Sequence, residues 1–277
     1  MPFNINEMIL DRVRSLTTHD LSTGELLFRL TSLEDPSLSC TAEGEEVTDA
    51  IGSLITTIYR AKKATFSASN SLISLDLAAA QYGTKKETAS SSSKIVDYAY
   101  EVLPVSKNED EDTYYVTLKN AARTITDENG QDVTSIKYIY VIENGQIGTA
   151  YKCGSAVSAT EFAVDTDNKK IKLPTAVTSG KIYVEYEYES ENAMKVTNRA
   201  SQFPSACSMI IYAYFKDVCN ENTVYSGKII CPKAKLNPEQ VELALTSTGK
   251  HAFEFQMMKD YCADETEDEL FSIIISQ

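Results

Sequence analysis

Apolar and polar residues alternate with a period of two through most of this sequence, and a helical period replaces it only once. A strand sends successive side chains to opposite faces, so this alternation predicts half-buried strands. ELLFRLTSL (25–33) sets Leu26, Phe28 and Leu30 against Leu27, Arg29 and Thr31. SLSCTAEGEE (37–46) sets Leu38, Cys40 and Ala42 against Ser39, Thr41 and Glu43. LITTIYR (54–60) reads as a strand. In KKATFSAS (62–69), Ala64, Phe66 and Ala68 alternate with Thr65, Ser67 and Ser69. The exception is NSLISLDLAAAQYG (70–83). Asn70 or Ser71 suits a helix N-cap. Leu72, Leu75 and Ala79 share one face, Ile73, Leu77 and Ala80 widen it, and Gly83 suits a left-handed C-cap. The expected fold class is mainly β: a β-barrel or sandwich core with one packed α-helix.

The texture changes along the chain. EGEEVTDAIGS (43–53), acidic and with two glycines, reads as a long exposed loop or protruding hairpin. TKKETASSSSK (84–94) reads as a polar linker. Short strands then follow at 94–105, 113–118, 136–142, 160–165, 169–173 and 181–189, separated by turn signals such as DENGQD (127–132), ENG (143–145) and DTDN (165–168). This spacing suggests a small β-sandwich. Longer strands resume with ACSMIIYAYFKDVC (206–219), apolar enough to be buried on both faces, and continue through 223–231, 239–247, 251–262 and 270–276. The expected division is a core first half (1–89), an inserted sandwich (90–190) and a core second half (191–277).

The composition excludes several functions. The formal net charge of −14 is spread over all three segments, and no segment is a basic arm that would hold nucleic acid through phosphate contacts. The opening MPFNINEMILDR lacks the basic and apolar regions of a secretion signal. The longest apolar runs, MIIYAYF and LFSIII, fall far short of the roughly 20 residues of a membrane span. None of the six cysteines forms a CxxC pair. They read as reduced thiols, and the spacing of Cys207, Cys219 and Cys231 fits no usual zinc finger. The two histidines, His19 and His251, are far apart and tied to no nucleophile. No phosphate-cradling glycine motif is present. DENGQD looks like a calcium loop, but its Asn-Gly centre is a hairpin turn and no glutamate stands where a bidentate ligand would. NEDEDT (108–113) reads as a solvated loop. Glu185, Glu187 and Glu189 lie on one strand face, opposite Val184, Tyr186 and Tyr188. They read as solvent contact and edge protection rather than a paired-carboxylate glycosidase site. No catalytic residue, cofactor site or metal site emerges.

The order of parts resembles the tail tube proteins, or major tail proteins, of long-tailed bacteriophages. VTDAIGSLITTIYRAKKATFSASNSLISLDLAAAQYG (47–83) is similar to their first half, where an acidic stacking loop leads to a strand pair and one helix. The segment 207–262, followed by DELFSIIIS (268–276), is similar to their second half. The resemblance covers about half of the chain; 90–190 exceeds the minimal core of the family. It implies a virion structural protein without enzyme activity, forming hexameric rings that stack into a tube for viral DNA. Ser39, Thr41, Glu43, Thr65, Ser67 and Ser69 would face the lumen, a surface of hydroxyls and carboxylates that offers DNA no cationic anchor, with Glu43 the first candidate for its negative charge. Glu45, Glu46 and Asp49 would belong to the ring-stacking loop. The implied partners are further copies of the chain and sheath, tape-measure, baseplate and tail-terminator proteins. DNA would pass without specific binding, and the protein would assemble in the host cytoplasm and reside in the tail, without membrane insertion. A tube of a bacteriocin-like injection particle and an immunoglobulin-like surface binding module are the alternative readings, with a hydrolase last.

Overall fold

A computed structural model describes residues 7–165, 169–218, 223–239, 241–245, 249–259 and 269–276. The chain first forms β1 (Met8–Asp20), β2 (Leu26–Leu30), β3 (Leu33–Thr48), β4 (Leu54–Asn70) and α1 (Leu75–Tyr82). It continues with β5 (Glu87–Thr88), β6 (Ile95–Pro104), β7 (Ser106–Asn108), β8 (Thr113–Thr117), β9 (Thr124–Thr126), β10 (Asp132–Thr134), β11 (Tyr138–Glu143) and β12 (Gln146–Cys153). Next come β13 (Glu161–Asp165), β14 (Lys170–Lys172), β15 (Lys181–Ser190) and β16 (Met194–Lys195). Finally it forms β17 (Ala206–Asp217), β18 (Val224–Leu236), β19 (Glu242–Leu243), β20 (His251–Met257) and β21 (Ser272–Ser276). The protein is mainly β, as its alternation predicts, and folds as two compact units: Met1–Lys86 with Val196–Gln277, and Glu87–Lys195.

The first unit is a nine-stranded sheet in the order β2-β1-β17-β18-β20-β4-β3, with β19 on β20 and β21 on β18. It curls into a half-barrel around one core. Leu16, Phe28, Phe66, Met209, Ile211, Phe253 and Phe255 fill its concave side. Phe255 stacks on Phe28 at 6.4 Å and meets Phe253 edge-on at 5.9 Å, arrangements that suit the ring quadrupole. β1 carries no alternation that marks it as a strand. Register shifts between Leu10 and Arg12 and between Val13 and Ser15 break its alternation. β17 is not buried on both faces: Cys207, Met209, Ile211 and Ala213 are buried, whereas Ile210, Tyr212 and Tyr214 are half-exposed. Of the strand expected at 239–247, the described residues show only β19. The DTDN turn beyond Asp165, Cys219, Cys262 and most of the expected acidic hairpin near the end lie outside the described residues.

α1 is shorter than its periodicity suggested. Neither Asn70 nor Ser71 caps it, because β4 stays paired as far as Asn70, opposite His251 and Leu33. Ser74 is the N-cap, its Oγ accepting from the Leu77 N–H at 3.2 Å. Leu72 and Ile73 are left outside the helix and exposed, while Leu77, Ala78, Ala79 and Gln81 are buried. Gly83 ends the helix at φ 67°, its N–H bonded to the Ala79 and Ala80 carbonyls, the left-handed cap that glycine adopts without a Cβ penalty.

The second unit begins and ends on a short ribbon, since β5 pairs with β16. Residues 87 and 88 are therefore paired and not free linker. Its eight-stranded path β6-β15-β11-β12-β13-β14-β8-β7 folds over a separate core of Val116, Ile139, Phe162, Ile171, Ile182 and Val184. DENGQD turns the β9–β10 hairpin. The Asp127 carboxylate accepts from the N–H groups of Asn129 (2.9 Å) and Gln131 (2.8 Å), so this loop is held by its own backbone. ENG turns β11 into β12 with both Asn144 and Gly145 at positive φ, as a two-residue hairpin with the right strand twist requires. β15 lies between β6 and β11. Edge protection therefore does not account for Glu185, Glu187 and Glu189.

Candidate functional site

Two surfaces of the first unit stand out: the outer face of the half-barrel at β3, β4 and β20, and the hairpin that β3 and β4 form beyond the sheet. On β4, Ala64, Phe66 and Ala68 point into the core, and Thr65, Ser67 and Ser69 occupy the other face, half-exposed. Directly opposed residues of antiparallel strands share a face, so the register extends this surface sideways. One row runs Ser39, Thr65, Gln256, Lys235. The next runs Ser37, Ser67, Glu254, and a third sets Glu34 and Ala252 on either side of Ser69. The hydroxyls foreseen at 39, 65, 67 and 69 do lie together. Glu254 and Gln256 join them through pairings with the distant β4, which no local pattern shows, and Ser37 and Lys235 extend the same rows.

Thr41 continues this face, and Glu43 sits differently. Thr41 opposes Lys63, and a register shift then brings Glu43 opposite Arg60. The extra residue is on β4, where Ala61 has φ 49°. The Lys63 Nζ lies 3.0 Å from a Glu43 carboxylate oxygen, and both side chains are exposed. Glu43, the acid expected to give this face its negative charge, is thus locally balanced. Glu34 is also paired, with Lys250, whose ammonium holds its carboxyl below the ordinary range. Glu254 accepts from the Asn237 amide at 2.9 Å and brings a carboxylate to the middle of the face, next to Ser67.

Beyond Lys63 the β3–β4 ribbon has no core on either side. Its register runs from Glu43 opposite Arg60 to Thr48 opposite Leu54. The segment 43–53 is therefore the outer strand and tip of a paired hairpin, not an open loop. At the tip, the Asp49 carboxylate accepts from the N–H groups of Ile51 (3.0 Å) and Ser53 (2.7 Å), and Gly52 turns at φ 86°. Asp49 holds the turn. Glu45 lies 3.6 Å from Arg60, and Glu46 stands opposite Thr57. The arm is less polar than its acidic first strand implies. Ile51 (87% exposed), Tyr59 (72%), Ile55, Leu54, Ile58 and Val47 all meet solvent. Gly44 fits beneath the Tyr59 ring, where an added Cβ would come within 3.2 Å of it.

His251 is buried beside α1, its Nε2 2.6 Å from the Gln81 side-chain oxygen, and Gln81 in turn donates to the Ala252 carbonyl at 3.0 Å. Cys207 and Cys231 are buried thiols pushed up to about 12 and about 11 by desolvation, hence unreactive at neutral pH. Among the described residues no cluster of three His, Cys, Asp or Glu could hold a metal ion, and no helix is long and apolar enough to cross a membrane.

A family model described as the YomU/Tube protein family matches residues 8–270, which takes in both compact units. No curated protein matches the chain.

Proposed function

Because the chain belongs to the YomU/Tube protein family, we propose that it is a virion structural protein, the subunit of a phage tail tube, without enzyme activity. The projecting β3–β4 arm carries this reading. A two-stranded ribbon with no hydrophobic face of its own against a core is marginal in water, and this one also exposes Ile51, Leu54, Ile55, Ile58 and Tyr59. Docked on the next ring of a stack, the arm gains the cover that its own subunit does not supply. The sheet supports lateral closure in the same way. β2 and β3 are its outermost strands, and neither has a partner on its outer edge among the described residues. Copies arranged in a hexameric ring would satisfy both edges.

In such a ring the hydroxyl face of β3, β4 and β20 turns to the channel. At the centre of the face serine, threonine and glutamine offer DNA neither a cationic anchor nor a stacking platform, Lys63 is engaged by Glu43 and Lys235 stands at the β18 margin, so the genome passes without specific binding. The tube meets sheath or tape-measure, baseplate and tail-terminator proteins in the finished tail, after assembly in the host cytoplasm.

Electron microscopy of the purified chain tests the reading, alongside a variant in which an Asn-Gly turn replaces residues 44–59. The wild type is expected to form rings and tubes. The variant keeps its thermal midpoint within a few degrees, because no core residue is removed, and stops at rings or single subunits. Tubes of normal length from the variant would move stacking to another surface. A wild type that stays monomeric at all concentrations and salts would overturn the tube itself.

A further inference from the structure

The second unit presents a surface that the tube reading does not use. On its β6–β15–β11 face, tyrosines and glutamates interleave. Tyr98 stands opposite Glu187, Tyr100 opposite Glu185, and Tyr140 opposite Tyr183. Tyr98 is 74% exposed and Tyr100 77%, unusual for rings that normally contribute large buried areas. Their neighbours on the other side of the sheet, Ile182, Val184 and Tyr186, are fully packed, so the face is rigidly backed. Carboxylates stand beside the rings: the Tyr183 hydroxyl donates to Glu185, and Glu187, opposite Tyr98, holds that phenol above its usual range.

We propose that this face binds an uncharged polysaccharide. A sugar ring has one face of C–H groups and a rim of hydroxyls. An exposed tyrosine offers a flat apolar surface for the first at low entropic cost. A carboxylate accepts hydrogen bonds from the second, and two oxygens with about four lone-pair sites leave Glu185 spare capacity beyond its bond from Tyr183. Tyr98 and Tyr100 are about 7 Å apart along β6, and the rings of Tyr140 and Tyr183 on adjoining strands lie 6.2 Å apart, spacings along which an extended glycan chain can lie. The charge selects among ligands. Around Tyr98 and Tyr100 the carboxylates of Glu185, Glu187 and Glu189 outnumber the one cation of that part of the face, Arg123, 3.1 Å from Glu187, while Lys181 stands at the far end of β15; the tyrosine patch itself therefore disfavours nucleic acid and sulfated or uronic glycans. A second copy docked face to face would set these carboxylates against each other, and an apolar partner would bury them without cations. Neutral hydroxyl-rich chains satisfy both groups. The proposal does not depend on the tube.

The test is affinity electrophoresis of the full chain in native gels cast with dextran, laminarin, galactomannan or hydroxyethylcellulose, with alginate and heparin gels as polyanion controls. Retardation is expected in at least one neutral gel and in neither control. Changing Tyr98→Ala and Tyr100→Ala together should weaken that retention about tenfold or more. Tyr100→Phe, which keeps the ring, should retain it. A second measurement needs no variant: the chain has 16 tyrosines and no tryptophan, so a tyrosine difference spectrum near 280 nm on adding the retained glycan reports ring contact directly. Absence of retardation in every neutral gel overturns the proposal. So does equal retardation of a double-alanine variant with native circular dichroism. Concentration-dependent self-association abolished by the same double variant would assign the face to a second copy instead.

Discussion

Gly83 and His251 show how single residues fasten α1 to the sheet. Gly83 combines φ 67° with close packing: a Cβ there would lie 2.1 Å from the Phe203 carbonyl oxygen. Gly83→Ala therefore adds a left-handed strain of about 1 kcal/mol to a clash with backbone that cannot rotate away, and about 2–4 kcal/mol of stability should be lost in urea denaturation. His251 is buried and neutral. Gln81 directs its amide to the Ala252 carbonyl and so turns its oxygen to His251, which donates from Nε2 and leaves Nδ1 unpartnered. Protonation would place a second N–H in that dry position, and burial holds the imidazole below its usual range. In the window between the lowered native value and 6.5, the unfolded chain binds the extra proton. Stability therefore falls as pH drops through that window and is fully present above it. Chemical denaturation from pH 8 to 5 should show this decline above the carboxylate range, and His251→Gln should flatten it. A slope unchanged in the variant would place the titration elsewhere.

Among the elements, the β3–β4–β20 face makes a contrast that only its register reveals. Thr65 is flanked by Ser39 and Gln256, and Ser67 by Ser37 and Glu254. A lysine at 65 has no carboxylate directly beside it, whereas one at 67 meets Glu254. If this face lines the channel, tubes of Thr65→Lys should bind duplex DNA with an affinity that falls steeply as salt rises, and those of Ser67→Lys should bind markedly less. Both substitutions are at half-exposed positions and should cost no more than about 0.5 kcal/mol of folding stability. Equal binding by the two tubes would show that Glu254 does not screen this surface. No binding by either would take β4 out of the lumen.

At the scale of the whole molecule, each unit closes its own core, and the chain enters and leaves the second unit on paired strands. Glu87 lies opposite Lys195, so the two ends of this unit are about 5 Å apart and a short bridge can span them. Joining Lys86 to Val196 through Gly-Ser-Gly should leave a first unit with β-type circular dichroism and a cooperative melt. Because the arm and both open sheet edges stay in place, it should still assemble. A bridged chain with no folded signal would show that the first unit needs residues 87–195 to fold.

Alternation and turn chemistry are written locally, and that much the sequence determined by itself. Phe66 and Thr65 must face opposite ways on any strand, Asn144-Gly145 must turn a hairpin, and a run as apolar as Leu75–Tyr82 must find cover. The helix starts later than its local capping residues Asn70 and Ser71 predict, because capping potential is local, whereas the pairing of Asn70 with His251 is not. β1 has no legible period, because two register shifts break its alternation, and its ladders to β17 and β2 hold it as a strand. Tertiary structure also decided which polar residues meet. The placement of Glu254 and Gln256 beside the hydroxyls of β4 and the interleaved tyrosines and glutamates of β6 and β15 follow from register between distant strands, and the salt bridge from Lys63 that balances Glu43 follows from the register shift within the β3–β4 hairpin. A strand carries its own two-faced pattern, but its neighbour is chosen by core packing and by closure of the sheet.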